Sequence, residues 1–219
     1  MTIFAGVGLS MLIAAPIGAA ASQVGTLIMW ATEQAPLVMG ILVSVIVGVA
    51  LTLPISSAAI CAALGLTGLA GGAAVAGCCA QMVGFAVMSY KENGVGGLVS
   101  QGLGTSMLQM GNIIKNPRIW IAPTLASAIT GPLATCLFHF EMNGAAVSSG
   151  MGTCGLVGQI GVYTGWVSDI AAGTKAAITP MDWAAMVLLC FVLPAVLSVV
   201  FCAVERKLGW IKEGDLKLN

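Results

Sequence analysis

The stretch CLFHFEMNG (136–144) holds the single histidine of the sequence, His139, and an acid, Glu141, within an apolar run. An ionisable group at membrane depth is costly, about 2.5–3.5 kcal/mol for Asp, Lys or Arg at a helix centre, so it usually faces a cavity or a partner. A carboxylate in such a cavity accepts hydrogen bonds from hydroxyl groups and can serve as a general base. Side chains at i and i+2 point to different faces of a regular helix but to one face of an extended segment. His139 and Glu141 can therefore act as a catalytic pair only on a broken or extended backbone. Asn143-Gly144 permits one, and places Asn143 beside the pair. The other reading leaves Glu141 at the membrane surface, with His139 one turn inside.

Two Gly-rich segments echo each other. SQGLGTSMLQMG (100–111) and SGMGTCGLVGQIG (149–161) share G-[LM]-G-T-[SC], followed by Leu, Gln and Gly. A weaker pair is PISSAAI (54–60) and PTLASAI (123–129). Gly-broken apolar segments in corresponding parts of a transporter point to a substrate site near the bilayer midplane. Gln101, Thr105, Gln109, Thr153 and Gln159 are thus candidate substrate-binding residues, although chance similarity between Gly-rich stretches gives the same look. NIIKNPR (112–118) gathers Asn112, Lys115, Asn116 and Arg118 around a proline. It reads either as a loop beside the substrate, with Asn112 in the site and Lys115 and Arg118 docking an anionic partner, or as a positive-inside anchor. Gly150 to Gly155 matches G-x-G-x-x-G, but no strand precedes it and no soluble βαβ unit fits, so the dinucleotide reading fails. Hydrolase elbows and metal-ligand spacings are absent, and no cofactor or metal is expected.

These residues must be held by elements of a particular kind. Of 219 residues 58% are hydrophobic and 7% charged, with eight Lys plus Arg against eight Asp plus Glu. Soluble domains carry about 25% charged residues. Sixteen charges cannot cover the surface of a soluble globule of this size, and mean hydropathy is +1.02. This excludes an ordinary soluble enzyme, a disordered chain and a basic nucleic-acid binder. The expected fold is all-α and polytopic in a membrane. The 29 glycines suit helices that approach closely, as at Gly68-x-x-x-Gly72 and Gly161-x-x-x-Gly165. Seven cysteines in apolar stretches, with no C-x-x-C pair, read as small reduced hydrophobes.

A spanning helix needs about 20 mostly apolar residues. Uncharged runs cover 1–32, 34–90, 93–114, 119–140, 142–168 and 183–204. They predict about six or seven membrane segments, of which one or two Gly-rich ones are re-entrant. Residues 1–205 form the transmembrane domain and 206–219 a basic tail. Arg206, Lys207, Lys212 and Lys217 follow the last span and place the C-terminus in the cytoplasm, together with Lys115 and Arg118. The loop 169–182, with two Asp and one Lys, suits the opposite side.

The strings PISSAAI, GCCAQMVGFAV, KENG, QGLGTSMLQ, NIIKNPRIWIAPTLASAITGP and GMGTCGLVGQIG, between Pro54 and Gly161, resemble the short EIIC-like membrane components of the bacterial phosphotransferase system. That family includes the perfringolysin-regulator-like proteins. The resemblance covers about half the chain densely and implies an inner-membrane protein, a homodimer, that binds a sugar and passes it inward. A separate soluble EIIB supplies the phosphoryl group from a phosphocysteine. In sugar-transporting relatives a membrane-embedded Glu and a His contact the sugar, which implies these roles for Glu141 and His139. The family's further membrane segments precede the equivalent of Met1. Two other functions fit the same residues: a secondary transporter of another small solute, and a membrane sensor that regulates gene expression without transport.

Overall fold

The computed structural model describes the backbone of residues 2–218 and the side chains of residues 18–218. The sequence readings that concern Met1 and Asn219 lie outside the described residues. The architecture is all-α. In a bilayer every backbone polar group must be satisfied within the protein, and a helix does so within its own segment.

Helix α1 (Thr2–Gln34) is followed after one residue by α2 (Pro36–Thr52), which starts on a proline whose missing N–H costs nothing at that position. Ser56 caps the short α3 (Ser57–Leu64) by accepting from the Ala59 N–H at 3.2 Å, and a left-handed Gly65 ends it. Helix α4 (Gly68–Met88) is the centre of the protein and is buried along almost all of its length. Next come α5 (Tyr90–Val99), a π turn (Ser100–Gly104), a 3₁₀ turn (Ser106–Gln109) and α6 (Met110–Lys115). Helix α7 (Ile121–Pro132), extended by helical turns on both sides, forms one span from Pro117 to Leu137. After an irregular stretch come α8 (Val157–Ala171), α9 (Pro180–Val187) and α10 (Leu193–Lys207), the last two merged through a π turn.

Among the described residues, three helical stretches are long and apolar enough to cross a membrane: Gly68–Met88, Pro117–Leu137 and Pro180–Lys207. Pro36–Thr52 is a shorter apolar helix. The apolar runs 93–114 and 142–168 are not single helices. Each contains a Gly-rich break, where one of the two echoing segments sits.

Helices α2, α7 and α10 pack around α4. Gly77 lets α2 and α4 approach closely, because a Cβ there would overlap the Ser44 carbonyl. Buried hydroxyls lace the same contact. Ser44 Oγ donates to the Ser127 carbonyl at 2.8 Å, and Ser127 Oγ donates to the Gly77 carbonyl at 3.2 Å. Gln81 of α4 links three elements. Its Oε1 accepts from Trp120 Nε1 at 3.0 Å and Thr52 Oγ1 at 3.3 Å, and its Nε2 donates to Thr124 Oγ1 at 3.3 Å. All seven cysteines are free thiols, five of them buried.

The helix directions define two ends. One end of α4, at Gly68, pairs with Met142. The other leads into α5, whose Glu92 binds Arg206 at the close of α10. Helix α9, where the α9–α10 span starts, carries Asp182 back at the Met142 end. At 1.5 Å per residue, about 30 Å of α4 separates the ends.

Candidate functional site

The helical span that begins at Pro117 stops in a π turn, Leu133–Leu137. His139 then takes a left-handed conformation, φ 44°, uncommon for a residue with a Cβ. Beyond it the chain is extended. Met142 forms an antiparallel bridge with Gly68, with two N–H···O bonds of 3.0 Å. Side chains now alternate with period two. Phe140 and Met142 are buried, while His139, Glu141 and Asn143 all face one cavity. The conditional geometry required by the i, i+2 spacing is thus present. The reversal occurs at His139, upstream of the Asn143-Gly144 pair that the sequence suggests.

Gly72 makes this packing possible. A Cβ at Gly72 would overlap the Phe140 carbonyl oxygen and lie 2.8 Å from its carbon. Gly161 and Gly165 of α8 do the same on the other flank, against Ser148 and the Asn143-Gly144 backbone. The two small-residue motifs read from the sequence as helix–helix contacts therefore seat helices against an irregular segment instead. The chemistry is the same, since a missing Cβ admits any backbone.

The cavity holds about 510 Å³, within the range of small-molecule sites. Three elements supply its polar wall. Asn143 Nδ2 donates to Glu141 Oε2 at 3.1 Å and to Asp169 Oδ2, from α8, at 2.9 Å. That amide bridges two carboxylates and fixes their spacing. Lys175 Nζ pairs with Asp182 Oδ1 at 2.8 Å and lies 5.4 Å from the Trp166 ring centroid. Asp182 is held by a capping box with Thr179, accepting from its N–H at 2.7 Å and its hydroxyl at 2.9 Å. Trp183 packs edge-on to Trp166, with centroids 5.6 Å apart.

Three carboxylates, one ammonium and one imidazole line the cavity, so its wall is net acidic. Glu141 and Asp169 are bonded by an amide rather than by a cation, which leaves lone pairs for incoming hydroxyl donors. Among the described residues no group of three or more His, Cys, Asp or Glu is placed to hold a metal ion. Sequence reasoning missed Asp169, Lys175, Asp182 and Trp166 as site residues. The loop 169–182 read only as suiting the side opposite the tail, and nothing in its spacing ties it to His139 and Glu141.

The other sequence candidates lie outside this cavity. Gln101, Gln109 and Asn112 form a buried amide ladder: Gln109 Nε2 donates to Gln101 Oε1 at 2.8 Å, and Asn112 Nδ2 to Gln109 Oε1 at 2.7 Å. Thr105 closes a local turn by accepting from the Met107 N–H at 3.2 Å. Thr153 donates to the Gly102 carbonyl, so the two echoing segments touch one another. Gln159 donates to Cys79 Sγ at 3.2 Å, and its buried Oε1 has no partner among the described residues. Lys115 and Arg118 are exposed at the end that carries the basic tail, and Arg118 lies 5.6 Å from the Trp210 ring centroid.

Residues 1–218 match the family model described as "Phosphotransferase system, EIIC". No curated protein and no solved structure matches the chain.

Proposed function

This chain belongs to the phosphotransferase-system EIIC family, and from that premise we propose that the His139–Glu141–Asn143 cavity is its sugar-binding site. The protein is a polytopic membrane component of such a system. The observation that carries the reading is the extended segment 139–143, which turns three polar side chains of an apolar run into one 510 Å³ cavity.

In this reading Glu141 orients a sugar hydroxyl by accepting its hydrogen bond, and His139 bonds a neighbouring hydroxyl. Asn143 holds Glu141 and Asp169 at a fixed spacing, so the acceptors are arranged before the ligand arrives. The rule that cationic residues stay on the cytoplasmic side sets the tail, Lys115 and Arg118 inward and the cavity outward, in the inner membrane. A soluble EIIB-type donor then docks on Lys115 and Arg118. Its phosphocysteine transfers the phosphoryl group to the sugar hydroxyl: the P–S bond breaks, a P–O bond forms, and Glu141 takes the hydroxyl proton. This requires the sugar and Glu141 to reach the tail end, along a path in which Gln101, Thr105, Gln109, Asn112, Thr153 and Gln159 supply the polar groups. The protein works as a homodimer.

The test is Glu141→Gln, with sugar binding measured by thermal shift in detergent. A hydrogen bond to a charged acceptor is worth about 1.5–3 kcal/mol. The variant should fold and bind about 10- to 100-fold more weakly. Unchanged affinity removes Glu141 from the site.

A further inference from the structure

At the end of the protein opposite the cavity, the tail main chain is held by the buried side chains of Gln109 and Asn112 and the half-buried ones of Glu92 and Asn93. Asn93 Nδ2 and Gln109 Nε2 both donate to the Leu216 carbonyl, at 2.8 and 2.9 Å. Asn112 Nδ2 donates to the Lys217 carbonyl at 3.0 Å. In the other direction, Glu92 Oε2 accepts from the Leu216 N–H at 2.9 Å, and Asn93 Oδ1 from the Leu218 N–H at 2.8 Å. The Leu216 side chain is fully buried beside Phe85, Met88 and Ile113. This seat offers three amide donors and two oxygen acceptors within the span of three residues.

Two features set the seat apart from an ordinary tail contact. First, it continues inward. Gln109 bonds Gln101, Gln101 donates to Ser89 Oγ at 2.7 Å, and the next residue, Gly102, receives the Thr153 hydroxyl at the junction of the two Gly-rich segments. Second, Gln109 and Asn112 are buried in an apolar protein, where amides without partners are costly. If the tail leaves, another polar molecule must take its place. A sugar hydroxyl both donates and accepts, and a run of hydroxyls matches the alternation that the Leu216–Leu218 backbone now satisfies.

We propose that Asn93, Gln109 and Asn112 form a second, tail-side sugar-binding subsite that the protein's own Leu216–Leu218 segment occupies in the state described. Tail and sugar compete for the same amide donors, so the sugar displaces the tail on its way to the inner face, and the tail closes the path behind it. The proposal rests on the sugar-binding reading above and adds the site's competitor.

The experiment uses the full-length protein in detergent with glucose, N-acetylglucosamine and galactitol as probes. Binding is followed by thermal shift, and the tail by hydrogen exchange of the 212–218 peptide. A probe that binds should speed exchange of the Leu216 and Leu218 amides at least tenfold. Leu216→Ala, which loosens the tail and leaves every donor in place, should tighten that probe's apparent affinity several-fold. If it fails to fold, Leu216→Val, a smaller trim of the same buried side chain, carries the same expectation. A probe that binds, and whose binding Glu141→Gln weakens about 10- to 100-fold, while tail exchange stays unchanged overturns this proposal and leaves the cavity reading standing. Binding of no probe overturns both. Unaltered affinity in the tail variants also overturns the competition.

Discussion

Gly72→Ala tests whether the site owes its shape to one missing methyl group. The added Cβ would overlap the Phe140 carbonyl oxygen and sit 2.8 Å from its carbon, against about 3.5–4.0 Å for an ordinary carbon contact. Both partners are backbone, so no rotamer change relieves the clash. The 139–143 segment must withdraw from α4 by at least about 1 Å to relieve the carbon contact, and further to clear the oxygen. Phe140 lies between His139 and Glu141, so both site residues move with it. Overpacking costs about 1–3 kcal/mol, while replacing Gly by Ala in a helix interior returns up to about 1 kcal/mol. The net loss in stability is therefore about 0–3 kcal/mol. Binding is the sharper readout, because displacing Glu141 loses a hydrogen bond to a charged acceptor, about 1.5–3 kcal/mol or roughly 10- to 100-fold in affinity. Equilibrium binding and thermal unfolding would be compared for Gly72→Ala and Gly96→Ala, since a Cβ at Gly96 meets nothing within 4 Å. The expected result is a large affinity loss in the first and none in the second. Wild-type binding and melting in Gly72→Ala would refute the close approach as the source of the cavity.

Gln81→Leu should destabilise by about 1–3 kcal/mol, because it leaves the Trp120 indole N–H unpaired while Thr52 and Thr124 keep other partners. Adding Trp120→Phe should recover part of that loss in thermal unfolding, and a larger loss would contradict the pairing. Thr179→Ala removes the capping box before α9 and should cost about 0.5–2 kcal/mol. It should also weaken sugar binding, as Asp182 and Lys175 lose their anchor. Lys115→Ala with Arg118→Ala should raise the KM for a phosphorylated EIIB-type donor, more at low salt than at high, and leave sugar affinity alone. An unchanged KM would remove the docking role.

The medium, the fold class and the family were legible along the chain, because each rests on local signals. Sixteen charges in 219 residues leave a bilayer as the solvent, and apolar runs of spanning length dictate helices within it. The string NPRIWIAPTLASAITGP carries the family resemblance in the sequence itself. The spacing of His139 and Glu141 also stated its own condition, a broken backbone. Packing decided whether that condition was met. Residues 139–143 stay extended because Met142 pairs with Gly68 and the Phe140 carbonyl lies against Gly72, contacts about 70 residues apart in sequence. Asp169 and Asp182 enter the cavity only because α8 and α9 fold back onto that segment. A glycine at the contact reads the same in sequence whether a helix or a strand fills the space it leaves. The fate of the glutamines was equally undetermined. Gln101, Gln109 and Asn112 carry polarity that apolar surroundings oblige them to satisfy, and only the folded chain shows that the partner is the tail of the same molecule.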